Sequence, residues 1–200
     1  MLYRNEMTES DRTGLETEIK YAVWGGFESP EEVREEILEL VDDAHALSAD
    51  DRRFIEDALD EAWGLKRGAE SDWPAITDVT RLMAAFDQLE KDGILALHRA
   101  GYTQSDGMAD VAEIYDEMGG PDSGVKGWTF YHEQDVADAI ETGILWLAFG
   151  ATDPAADPMT IAAAVASTLD AYGFAVERPA DPSRRIKVEG IVWRNRSPQD

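Results

Sequence analysis

Gly143-Ile144-Leu145-Trp146-Leu147-Ala148-Phe149-Gly150 is the stretch on which the fold turns. Six apolar residues in a row between two glycines are too few for a buried helix and far too few to cross a bilayer. A strand with one wet face would alternate polar and apolar positions. A run with no polar position therefore predicts a central strand covered on both faces.

Working outward, Trp128 to Tyr131 and Ile94 to Arg99 read as further strands on the N-terminal side. In the second of these, Ile94, Ala96 and His98 share one face and Leu95, Leu97 and Arg99 the other. A short helix lies in each gap: roughly Met108 to Met118, stopped by Gly119-Gly120-Pro121, and Gln134 to Glu141, ended by Gly143. On the C-terminal side an Ala-rich helix from Pro158 to Ala171 leads to a closing strand pair, Phe174 to Arg178 and Arg185 to Trp193. The resulting order is β-α-β-α-β-α-β-β. It predicts an α+β fold, with an N-terminal helical array followed by a roughly five-stranded mixed or antiparallel sheet that has helices packed on one face.

Upstream of Ile94 the period is helical. Thr13 with Glu16 reads as a capping box ahead of Leu15, Ile19, Ala22 and Val23. Ser29-Pro30-Glu31-Glu32 is a stronger start, with Ser at the cap, Pro at the first helical position and Glu three residues after the cap. Ser48-Ala49-Asp50-Asp51 opens a third helix, and a fourth runs from about Asp78 to Asp92 with Gly93 as its stop. Residues 66–77 read as a linker. The expected division is a helical region over 1–72 and an α+β domain over 73–200, forming one compact unit.

The chain has no cysteine, which excludes disulfides, thiolate metal sites and cysteine nucleophiles together. Met1 to Lys20 is polar and mixed in charge, unlike a secretory leader, so a cytoplasmic protein is expected. Charge is the most unusual bulk property: 18 basic against 42 acidic residues leave a net −24. Residues 94–177 hold 14 acidic and two basic side chains, while 178–196 hold six basic and two acidic. A body this negative repels phosphate, so neither nucleic acid nor an anionic membrane is an expected partner. A basic protein partner fits. High net charge also keeps a protein soluble whatever it binds.

No G-x-G-x-x-G, P-loop, H-E-x-x-H or G-x-S-x-G pattern is present, which disfavours dinucleotide, P-loop, zinc-peptidase and α/β-hydrolase readings, and no cofactor is expected. Histidine is scarce: His45, His98 and His132. Asp42 and His45 stand at i, i+3, but the second such pair that a carboxylate-bridged metal bundle needs is missing. The strip with chemical potential is Gly101 to Gly107 together with Trp128 to Asp135, because each segment lies between a strand and a helix. There His132, Asp135 and Asp106 are the candidates for base and carboxylate. Tyr102, Gln104, Ser105, Tyr131 and Gln134 are the candidate ligand-binding wall, and His98 with His132 are weak candidates for a metal. The alternative is structural: Asp106 and Asp135 as helix caps, and His132 as a packed residue at a strand end. Two functional expectations follow. One is a non-catalytic acidic interaction protein. The other is a small-molecule-binding domain or enzyme around His132, Asp135 and the 102–106 loop.

Four ordered segments carry a family resemblance. They are Arg81-Leu82-x-x-Ala85-Phe86-x-x-Leu89-x-x-x-Gly93-Ile94, Ala100-Gly101-Tyr102-Thr103-Gln104-Ser105-Asp106-Gly107, Phe130-Tyr131-His132-x-Gln134-Asp135 and Gly143-x-Leu145-x-Leu147-Ala148-Phe149-Gly150. In these the chain resembles an uncharacterised family of bacterial proteins, over about residues 78–195 and more loosely at Trp24-x-Gly26-Phe27. The resemblance implies the fold and no established activity. It also implies paired cysteines in some relatives where this chain has Gln104-Ser105-Asp106, so any metal held there in those relatives has no counterpart here.

Overall fold

The structure is a computed structural model and describes residues 7–44 and 47–198. His45 lies outside the described residues. The chain divides into two compact units, Met1–Ala75 with Arg194–Asp200, and Ile76–Trp193.

The first unit contains α1 (Glu9–Gly25), α2 (Pro30–Ala44) and α3 (Ala49–Glu70). Each helix inserts a row spaced by four into one core: Leu15, Ile19 and Val23, then Val33, Ile37 and Val41, then Ile55, Leu59 and Trp63. The α2 start is as expected, with the Glu32 carboxylate accepting from the Ser29 amide at 2.8 Å. The α1 start is not. Thr8 is the cap and Asp11 its reciprocal partner, while the Thr13 hydroxyl donates back to the Glu9 carbonyl within the helix at 3.1 Å.

Helix α3 also runs through Lys66-Arg67-Gly68, where a linker was expected, and stops at Glu70. The reason is Lys66, which is 0% exposed. Its ammonium donates to the Val23 carbonyl at 2.8 Å, lies 3.7 Å from Glu70 and sits over the Trp63 ring. A lysine thus satisfies an orphan carbonyl at the end of α1. The returning segment from Arg194 serves the same helix ends. The Asn195 side-chain amide donates to the Gly25 and Gly26 carbonyls at 2.9 Å each, and Arg196 reaches the Glu70, Trp73 and Pro74 carbonyls. Gly26 is left-handed at φ +75, and a Cβ there would meet the Asn195 carbonyl oxygen at 2.4 Å.

The second unit contains α4 (Asp78–Lys91), β1 (Ile94–Leu97), α5 (Gln104–Glu117), β2 (Gly127–Phe130), α6 (Glu133–Thr142), β3 (Ile144–Ala151), α7 (Pro158–Ala171), β4 (Ala175–Glu177) and β5 (Ile186–Glu189). The strands form one mixed sheet in the order β1-β2-β3-β5-β4. Strands β1 and β2 are parallel, with Ile94 opposite Gly127, and every other pair is antiparallel. The apolar run is the middle strand, β3, as expected.

Helices cover both faces of the sheet, where one was expected. Val111, Ile114 and Tyr115 of α5 pack on Leu95, Leu97, Trp128, Phe130 and Ala148. On the opposite face Phe86 of α4 stacks on the His98 ring, centroids 4.4 Å apart, and Ile161 of α7 stands where a Gly127 Cβ would be. The parallel pairing explains the second layer, because β1 and β2 can be joined only by a crossover, and α5 is that crossover. No helix of the described residues is long and apolar enough to cross a membrane.

Candidate functional site

The parallel strands β1 and β2 end side by side, and from these ends the chain enters α5 and α6. Pairing continues past the strands: the Ala100 amide donates to the Tyr131 carbonyl at 2.9 Å, and the Glu133 amide to the Gly101 carbonyl at 3.1 Å. The turn after β1 is tight. Arg99 adopts φ +48, uncommon for a residue with a side chain, and its guanidinium is held by Glu133 at 3.1 Å. Gly101, at φ +58, lies so close to α5 that a Cβ would meet Asp106 Cβ at 2.4 Å.

Helix α5 begins four residues earlier than the sequence suggested, at Gln104, because Thr103 and Asp106 form a capping box. The Asp106 carboxylate accepts from the Thr103 amide at 2.9 Å and the Thr103 hydroxyl at 2.8 Å. These bonds hold its pKa below the usual carboxylate value. Asp106 is exposed, as are Tyr102, Gln104, Ser105 and Gln134. Among the described residues no hydrogen bond joins Asp106 or Gln104 to His132.

The two described histidines, His98 and His132, enter separate clusters. His98 stacks on Phe86, and its Nδ1 pairs with the Tyr131 hydroxyl at 2.9 Å. Tyr131 is fully buried, and burial pushes its pKa up. Burial lowers the His98 pKa from 6.5 to about 4. Since the unfolded chain binds this proton more tightly, stability is expected to fall as pH drops from 6.5 toward about 4. Imidazole resonances followed through acid titration check this: a His98 midpoint near 6.5 would contradict it.

His132 caps α6 and is buried. Its backbone amide and its Nε2 both approach Asp135 Oδ2, at 3.0 and 3.2 Å. The same oxygen takes a third partner, Arg185 Nη2, which also donates to the Trp146 carbonyl at 2.8 Å. Arg185 directly precedes β5, so this cluster ties α6 to β3 and β5. Burial lowers the His132 pKa and the Arg185 charge adds to that, against an opposing effect from Asp135. Within the cluster His132 Nδ1 and Arg185 Nε are buried with no hydrogen-bond partner.

The structure thus joins His132 to Asp135, places Asp106 on its own helix cap, and leaves Tyr102, Gln104, Ser105 and Gln134 at the surface. Arg185 is the member that sequence reasoning missed; it stands 50 residues from Asp135, and no local motif marks it. A hollow of about 240 Å³ does exist nearby, lined by residues 96–100 and by Asp110, Glu113 and Ile114 of α5, but His132 is not part of its wall. Among the described residues no group of three or more His, Asp or Glu side chains is placed to hold a metal ion.

No curated protein and no solved structure matches the chain. A family model does match, over residues 8–197, which spans both units and the whole strip. The chain belongs to the family of the domain of unknown function DUF6891.

Proposed function

We propose that this chain is a non-catalytic, acidic binding protein of the bacterial cytosol that engages a positively charged protein partner. The observation that carries the reading is where the charge lies. On α2, Glu31, Glu32, Glu35, Glu36 and Glu39 are all exposed, opposite the buried Val33, Ile37 and Val41. On α5, Asp106, Glu113, Asp116 and Glu117 are exposed as well. Carboxylates spread over whole helix faces steer a cationic partner and repel nucleic acid. The candidate base, by contrast, is turned inward: Asp135 is committed to Arg185 and the α6 cap, so it is a poor orienting group for catalysis.

Affinity capture from native lysate at low salt tests the proposal. Wild type is expected to retain a specific basic protein, and the variant Glu31→Gln, Glu35→Gln, Glu39→Gln, which leaves the Glu32 cap intact, is expected to lose it. A capture that yields no basic protein, or one indifferent to the substitutions, would count against the reading.

A second reading, a small-molecule-binding domain at His132, draws support from the buried Nδ1 and Arg185 Nε atoms without partners, since buried polar atoms are normally satisfied. Thermal shift against a panel of small carboxylates and phosphates, with His132→Asn as control, tests it. Stabilisation of wild type alone would favour this reading, and no shift in either protein would exclude it for those classes.

A further inference from the structure

We propose that the groove between α1 and α3 is a docking surface for an amphipathic, lysine- or arginine-flanked helix of the partner. The inference rests on the acidic-binding reading and assigns it a place. The groove measures about 440 Å³ and is lined by Glu16, Ile19, Lys20 and Trp24 of α1 and by Ala58, Glu61, Ala62 and Leu65 of α3.

Its floor is apolar and its shape follows from the sequence. Ala58 and Ala62 stand one turn apart on α3, and two methyl groups there leave open the space that larger side chains would fill. Leu65 continues the row and is 61% exposed. A leucine left mostly in water beside an apolar floor gains by burial once something covers it. From Ala58 to Leu65 the groove runs roughly 10 Å along α3, at 1.5 Å per residue, or two helical turns. That length suits anchors at i, i+3 or i+4, and i+7 of an incoming helix.

The rim selects the sign of the occupant. Glu16 and Glu61 flank the floor, one from each helix, and Asp57 and Asp60 are exposed on α3 nearby. Lys20 is the basic exception, its ammonium lying over the Tyr21 ring. Residues 7–75 carry a large excess of acid over base, so a helix with basic flanks is attracted and an acidic one excluded.

The experiment uses the full chain, labelled with ¹⁵N, and a synthetic helix of about 14 residues with leucines at i, i+3, i+4 and i+7 and lysines elsewhere. A scrambled peptide of the same composition is the control. Shifts concentrated at Ile19, Ala58, Ala62 and Leu65, with affinity reduced at least tenfold in Leu65→Glu, are the expected result. Leu65 is exposed, so this variant should keep its fold; Ala62→Leu, which fills the floor, should weaken binding independently, with circular dichroism reporting on folding. Equal, diffuse binding of both peptides would overturn the groove and leave the acidic reading standing. No binding of either at low salt would overturn both. A chain that self-associates until Leu65→Glu is introduced would give the groove to a second copy and overturn the proposal.

Discussion

Asp135→Ala is expected to cost about 3 kcal/mol of stability, read as a lower urea midpoint with an unchanged slope. The carboxylate is 1% exposed, and one of its oxygens accepts from the α6 cap amide and from Arg185 while lying 3.2 Å from His132 Nε2. Removing it strands a guanidinium against the Trp146 carbonyl and uncaps the helix in the same step. The cost belongs at the lower end for a broken buried pair, because the Arg185 side chain keeps 23% exposure. Asp106→Ala provides the contrast. Asp106 also closes a capping box, but at the surface, so about 1 kcal/mol is expected. Equal losses for the two substitutions would refute the view that Asp135 is the keystone of a three-element junction. Arg185→Ala should resemble Asp135→Ala, and the double substitution should cost less than the two single losses combined.

The second large effect is a pH dependence at Lys66. Burial lowers its pKa from 10.5 to about 8, only partly opposed by Glu70. Below about pH 8 lysine is charged in both the folded and the unfolded chain, and the fold carries the full cost of burying the charge. Between about 8 and 10.5 the unfolded chain holds the proton while the folded protein releases it, so stability rises with pH through that window. Lys66→Met keeps the volume and removes the titration. The stability of wild type relative to this variant should therefore improve with rising pH, by up to about 3 kcal/mol across the window, since one pKa unit is about 1.4 kcal/mol. Paired denaturation curves at several pH values measure it, with every other titrating group common to both proteins. A flat difference would mean that the ammonium is solvated in the folded state.

These residues also mark how far the sequence could be read. Strand β3 was legible because apolar character at every position has one economical explanation, and the second capped helix because Ser29-Pro30-Glu31-Glu32 is a local signal whose chemistry is complete within four residues. The α1 start was misplaced because Thr8-x-x-Asp11 and Thr13-x-x-Glu16 are equivalent patterns, and only packing chooses between them. Lys66 looked like linker because a lysine beside Arg67-Gly68 normally faces water. Nothing local says that the end of α1 will need its ammonium. The candidate strip divided along the same line. Asp106 was weighed as a helix cap although its helix was begun at Met108, and its partner Thr103 stands only three residues away, whereas Arg185 reaches Asp135 through the β3–β5 pairing, a long-range fact of topology.

The returning segment at Arg194 sets the order in which the protein can be finished during synthesis. Helices α1 to α3 leave the ribosome first, but the side chains that close the ends of α1 and α3, those of Asn195 and Arg196, leave after the whole of 76–193. The later unit needs no such delay, because its own two ends are latched by the Val192 amide donating to the Asp78 carboxylate at 2.9 Å. The part made first is therefore the part completed last. Until then its open helix ends are a vulnerable point for a nascent chain, and a stop at residue 193 or 194 would leave a finished sheet attached to an unsealed helical unit.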